Sequence, residues 1–410
     1  MITLSEFLSK LNLLLEDAAK ILPDKYGDEI HGTLQPTESG PDTNKKLWEL
    51  MSQTVNAADQ LVKILQPPAI QLAETYLAYL DTKALFAVVS HNIPDMLSSG
   101  PLSVDALAQQ SNLQPLRLKQ IMRVLHSNGI FDYNPDLNTY SNNRNSVLLQ
   151  KDHWTQWHHW VSLYGDEFYD AAKGIPEAIK EGETRSAAQI TFGTDQNIFS
   201  YFAEKGLQEK FHNALGAGAV AQAPGMLADY NWAELGDVIV CDIGGGGGDF
   251  LAALLRNNLS MKGALLEIES VIEMVRPKCA VPNGIFADIA DRIVELHTGD
   301  FLDNVPSYEV YTMKWCLHNW KDSDVVKILS NVRHTIKVTA RARMVIIESV
   351  VEEGRSSRVW RFGDLTMMST TNGLERTKNE WLHLAKQAGW SIKGITLLRH
   401  AWAVAIELRP

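Results

Sequence analysis

Cysteine is scarce in this chain of 410 residues: Cys241, Cys279 and Cys316 are its only three, and they stand far apart. That excludes a disulfide framework, which needs an even and closely spaced set, and a clustered zinc site. A reducing, cytoplasmic setting is the expectation. Basic charge is also in short supply, with 38 Lys and Arg against 49 Asp and Glu for a formal net charge of −11. Nucleic acid and anionic membrane are therefore poor partners. Long apolar runs are missing as well. Glu74, Asp81 and Lys83 interrupt the most hydrophobic helical stretch, and the start, Met1 to Phe7, does not read as a signal peptide. What remains is a chain long enough for two domains, or one large one with an appendage, and with 45% hydrophobic residues, ample for sizeable cores.

A third glycine is missing where it would matter most. The run from Val238 to Phe250 reads as a buried strand holding an acid, Asp242, and then five glycines, Gly244 to Gly248. Neither register completes the G-x-G-x-x-G of dinucleotide sites, because Asp249 or Phe250 falls at the third position. An acid at the start of the following helix also competes with a pyrophosphate for the positive end of the macrodipole. A cationic ligand with one ribose fits better, and S-adenosylmethionine (SAM) has that character. Glu267 ends the next apolar run, 21 positions after Gly246, where a carboxylate can accept from both ribose hydroxyls.

Residues 1 to about 30 read as an amphipathic helix with Leu4, Phe7, Leu8, Leu11, Leu14 and Leu15 on one side, and Pro36, Gly40 and Pro41 mark 32–44 as a linker. Helical patterning returns over 45–90. Ser103 caps a short helix carrying Val104, Leu107 and Ala108; the next, with Leu118, Ile121, Met122 and Leu125 on a face, ends at Gly129. Ile130 to Tyr133, a turn at Asn134 to Asp136 and a return strand from Thr139 complete a winged-helix pattern. Arg117, Lys119 and Arg123 raise DNA binding, but over 81–150 five basic residues are matched by five acidic ones, which leaves no net electrostatic footprint. A dimerisation or substrate-lid role is expected instead. Nine rings crowd 153–170, among them Trp157, His158, His159 and Trp160. They read as core or pocket wall rather than a metal site, since adjacent histidines diverge on a helix. A helical run then passes through Phe211 and Leu215 toward Pro224.

After residue 235, strand-like runs at 238–243, 263–267, 293–297, 308–315, 343–349 and 400–408 alternate with helical patterns. This predicts an α/β, doubly wound sheet with ligands beyond the carboxyl ends of its strands. Those ends are chemically rich. Asp300, in Thr298 to Phe301, can accept from an adenine amino group, and His318 follows a strand directly in Lys314-Trp-Cys-Leu-His-Asn-Trp320. Glu348 and Glu375 stand at comparable places. A carboxylate that fixes the histidine tautomer frees the other ring nitrogen to act as a general base.

Four ordered motifs, Asp242 to Gly246, Gly299-Asp300, Lys314 to Trp320 and Gly373 to Thr377, together resemble the SAM-dependent O-methyltransferases of the plant caffeate and fungal polyketide type. The likeness extends to Leu102 to Ala108 and Arg123 to Phe131. It covers roughly residues 65 to 410 and implies a Rossmann-like methyltransferase sheet over 231–410 after a mostly α-helical winged-helix dimerisation and substrate-lid domain over 46–230; it does not explain the first sixty or so residues, where the N-terminal helix and linker over 1–45 rest on patterning alone. A homodimer acting on a small phenolic or polyketide-type hydroxyl follows from the same resemblance. So does His318 as the base, flanked by Glu348 and Glu375. The resemblance assigns Asp242, Gly244, Gly246, Glu267, Asp300, Phe301, Lys314 and Trp320 to the cofactor, and Trp160, Asn319, Asp364, Met367 and Met368 to the acceptor. The product of SAM would be S-adenosylhomocysteine, and no metal is required because the leaving thioether is neutral. Glu267 stands where Asp is usual, Glu269 where proline is common, and Asn319 where an Asp often follows the base. Some fungal relatives of this fold use bound SAM for dehydration or pericyclic ring closure instead; the presence of His318 with both acids favours methyl transfer.

Overall fold

The computed structural model describes residues 8–9, 11–14, 16–17, 36–37, 40–41, 45–282, 284–353 and 357–410. The chain divides after Asp166 into two compact units, Met1–Asp166 and Glu167–Pro410. The expected boundary near residue 230 falls later than this division, because the long helix before that point belongs physically with the α/β half.

In the first unit the helical stretch 45–90 is three helices: α1 (Lys45–Leu65), α2 (Pro68–Leu77) and α3 (Tyr79–Ser90). Pro68 opens α2 at its first position, where a missing N–H costs nothing. α4 (Val104–Ser111) is capped by Ser103, whose hydroxyl accepts from Ala106 N at 3.2 Å, and α5 (Pro115–Ser127) runs out at Gly129, with φ +73°. Strands β1 (Leu102–Ser103), β2 (Phe131–Asn134) and β3 (Thr139–Asn142) form an antiparallel sheet in the order β1-β3-β2. Leu107, Met122, Leu125 and Phe131 fill the core beneath it. The winged-helix pattern is present, with one strand the sequence did not reveal: two-residue β1 is too short to show alternation. The ring-rich segment gives α6 (Trp157–Tyr164). Of the expected first helix, Leu11 is buried and Leu14 half-buried on helical turns; Leu4, Phe7 and Leu15 lie outside the described residues, as does most of the linker.

The second unit is built on seven strands: β4 (Ile239–Ile243), β5 (Lys262–Glu267), β6 (Ile293–Thr298), β7 (Val310–Lys314), β8 (Arg343–Glu348), β9 (Ser391–Leu397) and β10 (Val404–Arg409). Their order is β9-β10-β8-β7-β4-β5-β6, parallel except that β10 runs against both neighbours. Six of the strands match the sequence reading within a few residues. β9 escaped it because Lys393 and Gly394 break the apolar alternation of an exposed strand. β10 starts later than predicted, since His400 takes a left-handed turn at φ +57°. Separate apolar cores cover the two faces of the sheet.

Five helices frame the site: α7 (Gln208–Asp229), α8 (Asp249–Asn257), α9 (Asp322–Thr335), α10 (Arg358–Thr371) and α11 (Lys378–Gln387). α7 continues through Pro224. Gly225 there lies so close to the loop before β10 that a Cβ would stand 1.5 Å from Arg399 O. That contact, and the packing of Gly216 against Asp249, place α7 in the α/β unit. Parallel register sets Asp242 beside Thr312 and Lys314 beside Ile347, so the loops after β4, β7 and β8 open on the same edge.

Candidate active site

The glycine loop is shaped for a ligand. Gly244 and Gly246 adopt φ +64° and +58°, and Gly248 +84°, conformations that side chains rarely take. A Cβ on Gly245 would stand 2.4 Å from Asp242 Oδ2 and 2.6 Å from Leu265 Cδ1, whereas one on Gly246 would meet nothing. Asp242 is buried, accepts from Thr312 Oγ1 at 2.7 Å, and leaves Oδ2 without a partner. Burial pushes its carboxyl up to about 6, against the pull of Thr312 and Lys314. Glu267 accepts from Gly246 N at 3.0 Å and from Ile268 N at 2.9 Å, so it ties its strand to the loop; burial raises its value too. Phe301 and Trp320 pack edge to face at 5.6 Å, and Phe301 lies against Gly244. Asp300 is exposed at the head of that turn and accepts from Leu302 N. The Lys314 ammonium is held below the ordinary lysine value by burial, with Asp242, Asp249 and Glu348 opposing. An orphaned acid oxygen, an open face at Gly246 and a ring pair suit a cationic nucleoside such as SAM.

Two residues beyond Cys316, whose sulfur abuts Gly244, stands His318. Its Nδ1 is 2.8 Å from Glu375 Oε1 and 3.2 Å from Glu348 Oε2. Glu348 Oε1 accepts from three successive main-chain N–H groups, Cys316, Leu317 and His318, at 2.9, 2.8 and 3.3 Å. They converge because Trp315, at φ +49°, turns the chain left-handed at the end of β7. Burial opposes charge on His318, but Glu348 and Glu375 outweigh it and lift the imidazole to about 9. Burial also raises Glu348, with His318 opposing.

Asp364 lies on α10, and its Oδ1 accepts from Glu375 N at 2.8 Å, so it holds the acid's main chain. Met367 and Met368 are half-buried on the same helix, and Asn319 donates to Cys316 O at 3.1 Å. Trp160 belongs to the first compact unit, where it stacks on Tyr164 at 5.1 Å. The sequence reading missed Arg376 and the left-handed Trp315. Arg376 could have been suspected from its place next to Glu375; nothing in the sequence signals the backbone turn.

His318, Glu348 and Glu375 also offer ligand atoms within 4.8 Å of one another, the donor set of a metal site. Both carboxylates, however, face the same imidazole nitrogen, and a cation between them would have to replace the Nδ1 proton that Glu375 accepts. The pair His158 and His159 gathers no third ligand among the described residues.

Residues 173–391 match the model of the O-methyltransferase domain family, and residues 73–152 that of the O-methyltransferase dimerisation domain. The chain is 61% identical over 404 residues to the O-methyltransferase verK of Clonostachys rogersoniana, covering 98% of this chain and 99% of that one. Among solved structures, human N-acetylserotonin methyltransferase in complex with SAM aligns with a TM-score of 0.74 at 21% identity, over 84% of this chain and 98% of the other. CalO1, a methyltransferase of calicheamicin biosynthesis in its SAH-bound form, aligns at 0.73 and 24% identity, over 83% and 98%. At these identities the two structures establish the shared fold.

Proposed function

The chain belongs to the SAM-dependent O-methyltransferase family, and on that premise we propose that it methylates a hydroxyl of a small phenolic or polyketide-type molecule with His318 as general base. One observation carries the reading: both acids address Nδ1 of His318, so Nε2 is left to face the acceptor. When bound, SAM supplies an electrophilic methyl on a sulfonium whose departing thioether is neutral. Asp242, Glu267 and the glycine loop hold the nucleoside, and Lys314, Phe301 and Trp320 line its surroundings. A phenol ionises near pH 10, so removal of its proton at Nε2 raises the nucleophile concentration where it is needed. Orientation of the two partners supplies much of the remaining acceleration.

A second reading has its own support. An imidazole at about 9 is largely charged at neutral pH in the free site, and a charged His318 would donate to a carbonyl and favour dehydration or pericyclic closure. Incubation with methyl-labelled SAM and a panel of phenols and polyketides decides between them by mass spectrometry. Label in the acceptor that disappears in His318→Ala supports the base. A substrate that isomerises without gain of mass supports the alternative.

We also infer a homodimer. The dimerisation-domain match begins within α2, and Val62, Leu65, Leu72 and Tyr76 of α1 and α2 are exposed apolar residues suited to burial against a second copy. Three free cysteines suit a reducing, cytoplasmic compartment, and no helix among the described residues is long and apolar enough to cross a membrane.

A further inference from the structure

Among the described residues, Arg376 is a large charged side chain sealed wholly inside the fold, yet no step of the chemistry above uses it. Its Nη1 donates to Leu317 O at 3.2 Å and its Nη2 to Trp320 O at 2.7 Å, so the guanidinium grips the main chain just before and just after the His318-Asn319 pair. Its Nε donates to Asp322 Oδ1 at 2.9 Å, at the first turn of α9, and its plane lies 5.5 Å from the Trp381 ring of α11. The neighbours of Arg376 reach the same loop. Leu374 N donates to His318 O at 2.9 Å, Glu375 meets the imidazole, and Gly373 is so close that a Cβ would stand 2.0 Å from His318 O.

We propose that Arg376 is a positioning residue: through the carbonyls of Leu317 and Trp320 it fixes the His318 loop against Glu375 and Glu348, and with it the ring at Trp320 on the cofactor side. The inference rests on His318 as the base. A buried guanidinium with one exposed carboxylate as counter-charge is a costly way to fill space, and an apolar side chain would do that more cheaply. What the guanidinium adds is geometry. Its planar fork holds three acceptors in fixed directions, whereas a lysine in its place reaches one at a time.

Arg376→Lys and Arg376→Met test this in the full-length enzyme. Loss of the grip is expected to lower kcat roughly tenfold to a hundredfold, with the lysine variant the milder and the acceptor KM nearly unchanged. NMR titration of the His318 imidazole, without acceptor, is expected to move from about 9 toward its ordinary 6.5 as contact with the acids loosens. A folded variant with wild-type kcat and an unmoved titration overturns the proposal, and so does a lowered Tm with an unmoved titration, which marks Arg376 as structural only. If neither variant accumulates, Asp322→Asn, changed at an exposed partner, must shift the titration in the same direction by less; no shift overturns the proposal. His318→Ala is read beside them. Methyl transfer that survives it removes the base reading, while the titrations still decide whether Arg376 orients His318.

Discussion

Strand β8 is six residues long and carries an ionic cluster at each end, and the two clusters differ in their charge balance. At its start, Arg343 is paired with Glu234 and Glu407, Arg409 donates to Glu407 at 2.7 Å, and Tyr230 donates its hydroxyl to Glu407. Two cations meet two anions. At its end, Glu348 and Glu375 converge on a single imidazole, each with an oxygen that lacks a hydrogen-bond partner. A balanced cluster can only lose by changing its protonation, so it fixes structure; an unbalanced one is poised to take up or release a proton. Charge balance therefore separates the two clusters, and burial sharpens the difference: Glu234 is exposed at the start of the strand, whereas His318, Glu348 and Glu375 are all buried at its end.

The two clusters should respond differently to substitution. The largest effect is expected from His318→Ala, which should reduce methyl transfer by about a thousandfold, within the range of a positioned general base, while calorimetric SAM affinity stays within a few-fold. Arg343→Met should leave kcat of the folded enzyme unchanged and cost about 2 kcal/mol in urea unfolding, because Glu234 loses its close partner and Glu407 is left with Arg409 alone. Glu375→Gln should lower kcat about a hundredfold and lower the pH at which activity rises. The sign follows from His318. Its folded value near 9 stands above the ordinary 6.5, so its charge stabilises the fold fully below about pH 6.5, and that contribution is lost as pH rises through 9. Activity through the neutral ring runs the other way and rises over the same window. Removing one carboxylate weakens both effects, and kcat against pH together with urea melts across pH 6 to 10 measures them. The smallest change is expected from Tyr230→Phe, about 1 kcal/mol of stability with an unaltered pH profile.

Much of this was legible in the chain. Alternation and turn chemistry locate six strands of the sheet, Ser103 and Gly129 mark helix ends, and His318 meets the two distant acids that the sequence groups with it. Local signals suffice where a residue's role follows from its immediate neighbours. They fail where the role is set by something far along the chain: β9 depends on pairing with β10, Asp364 acts on Glu375 across 11 positions, and Arg376 closes on carbonyls 56 and 59 positions away.

The inventory was already in the chain: a glycine turn after a buried strand, a carboxylate ending the next strand, a histidine with two acids elsewhere in the sequence, and an α/β frame to hold them. Tertiary structure alone decided the arrangement. It aimed both carboxylates at Nδ1, turned Trp315 left-handed so that three amides could meet Glu348, and brought Arg376 beneath the His318 loop. The reason is that hydrogen bonds and charge interactions act over a few ångströms of space, and separation along the chain does not fix separation in space until the sheet has formed.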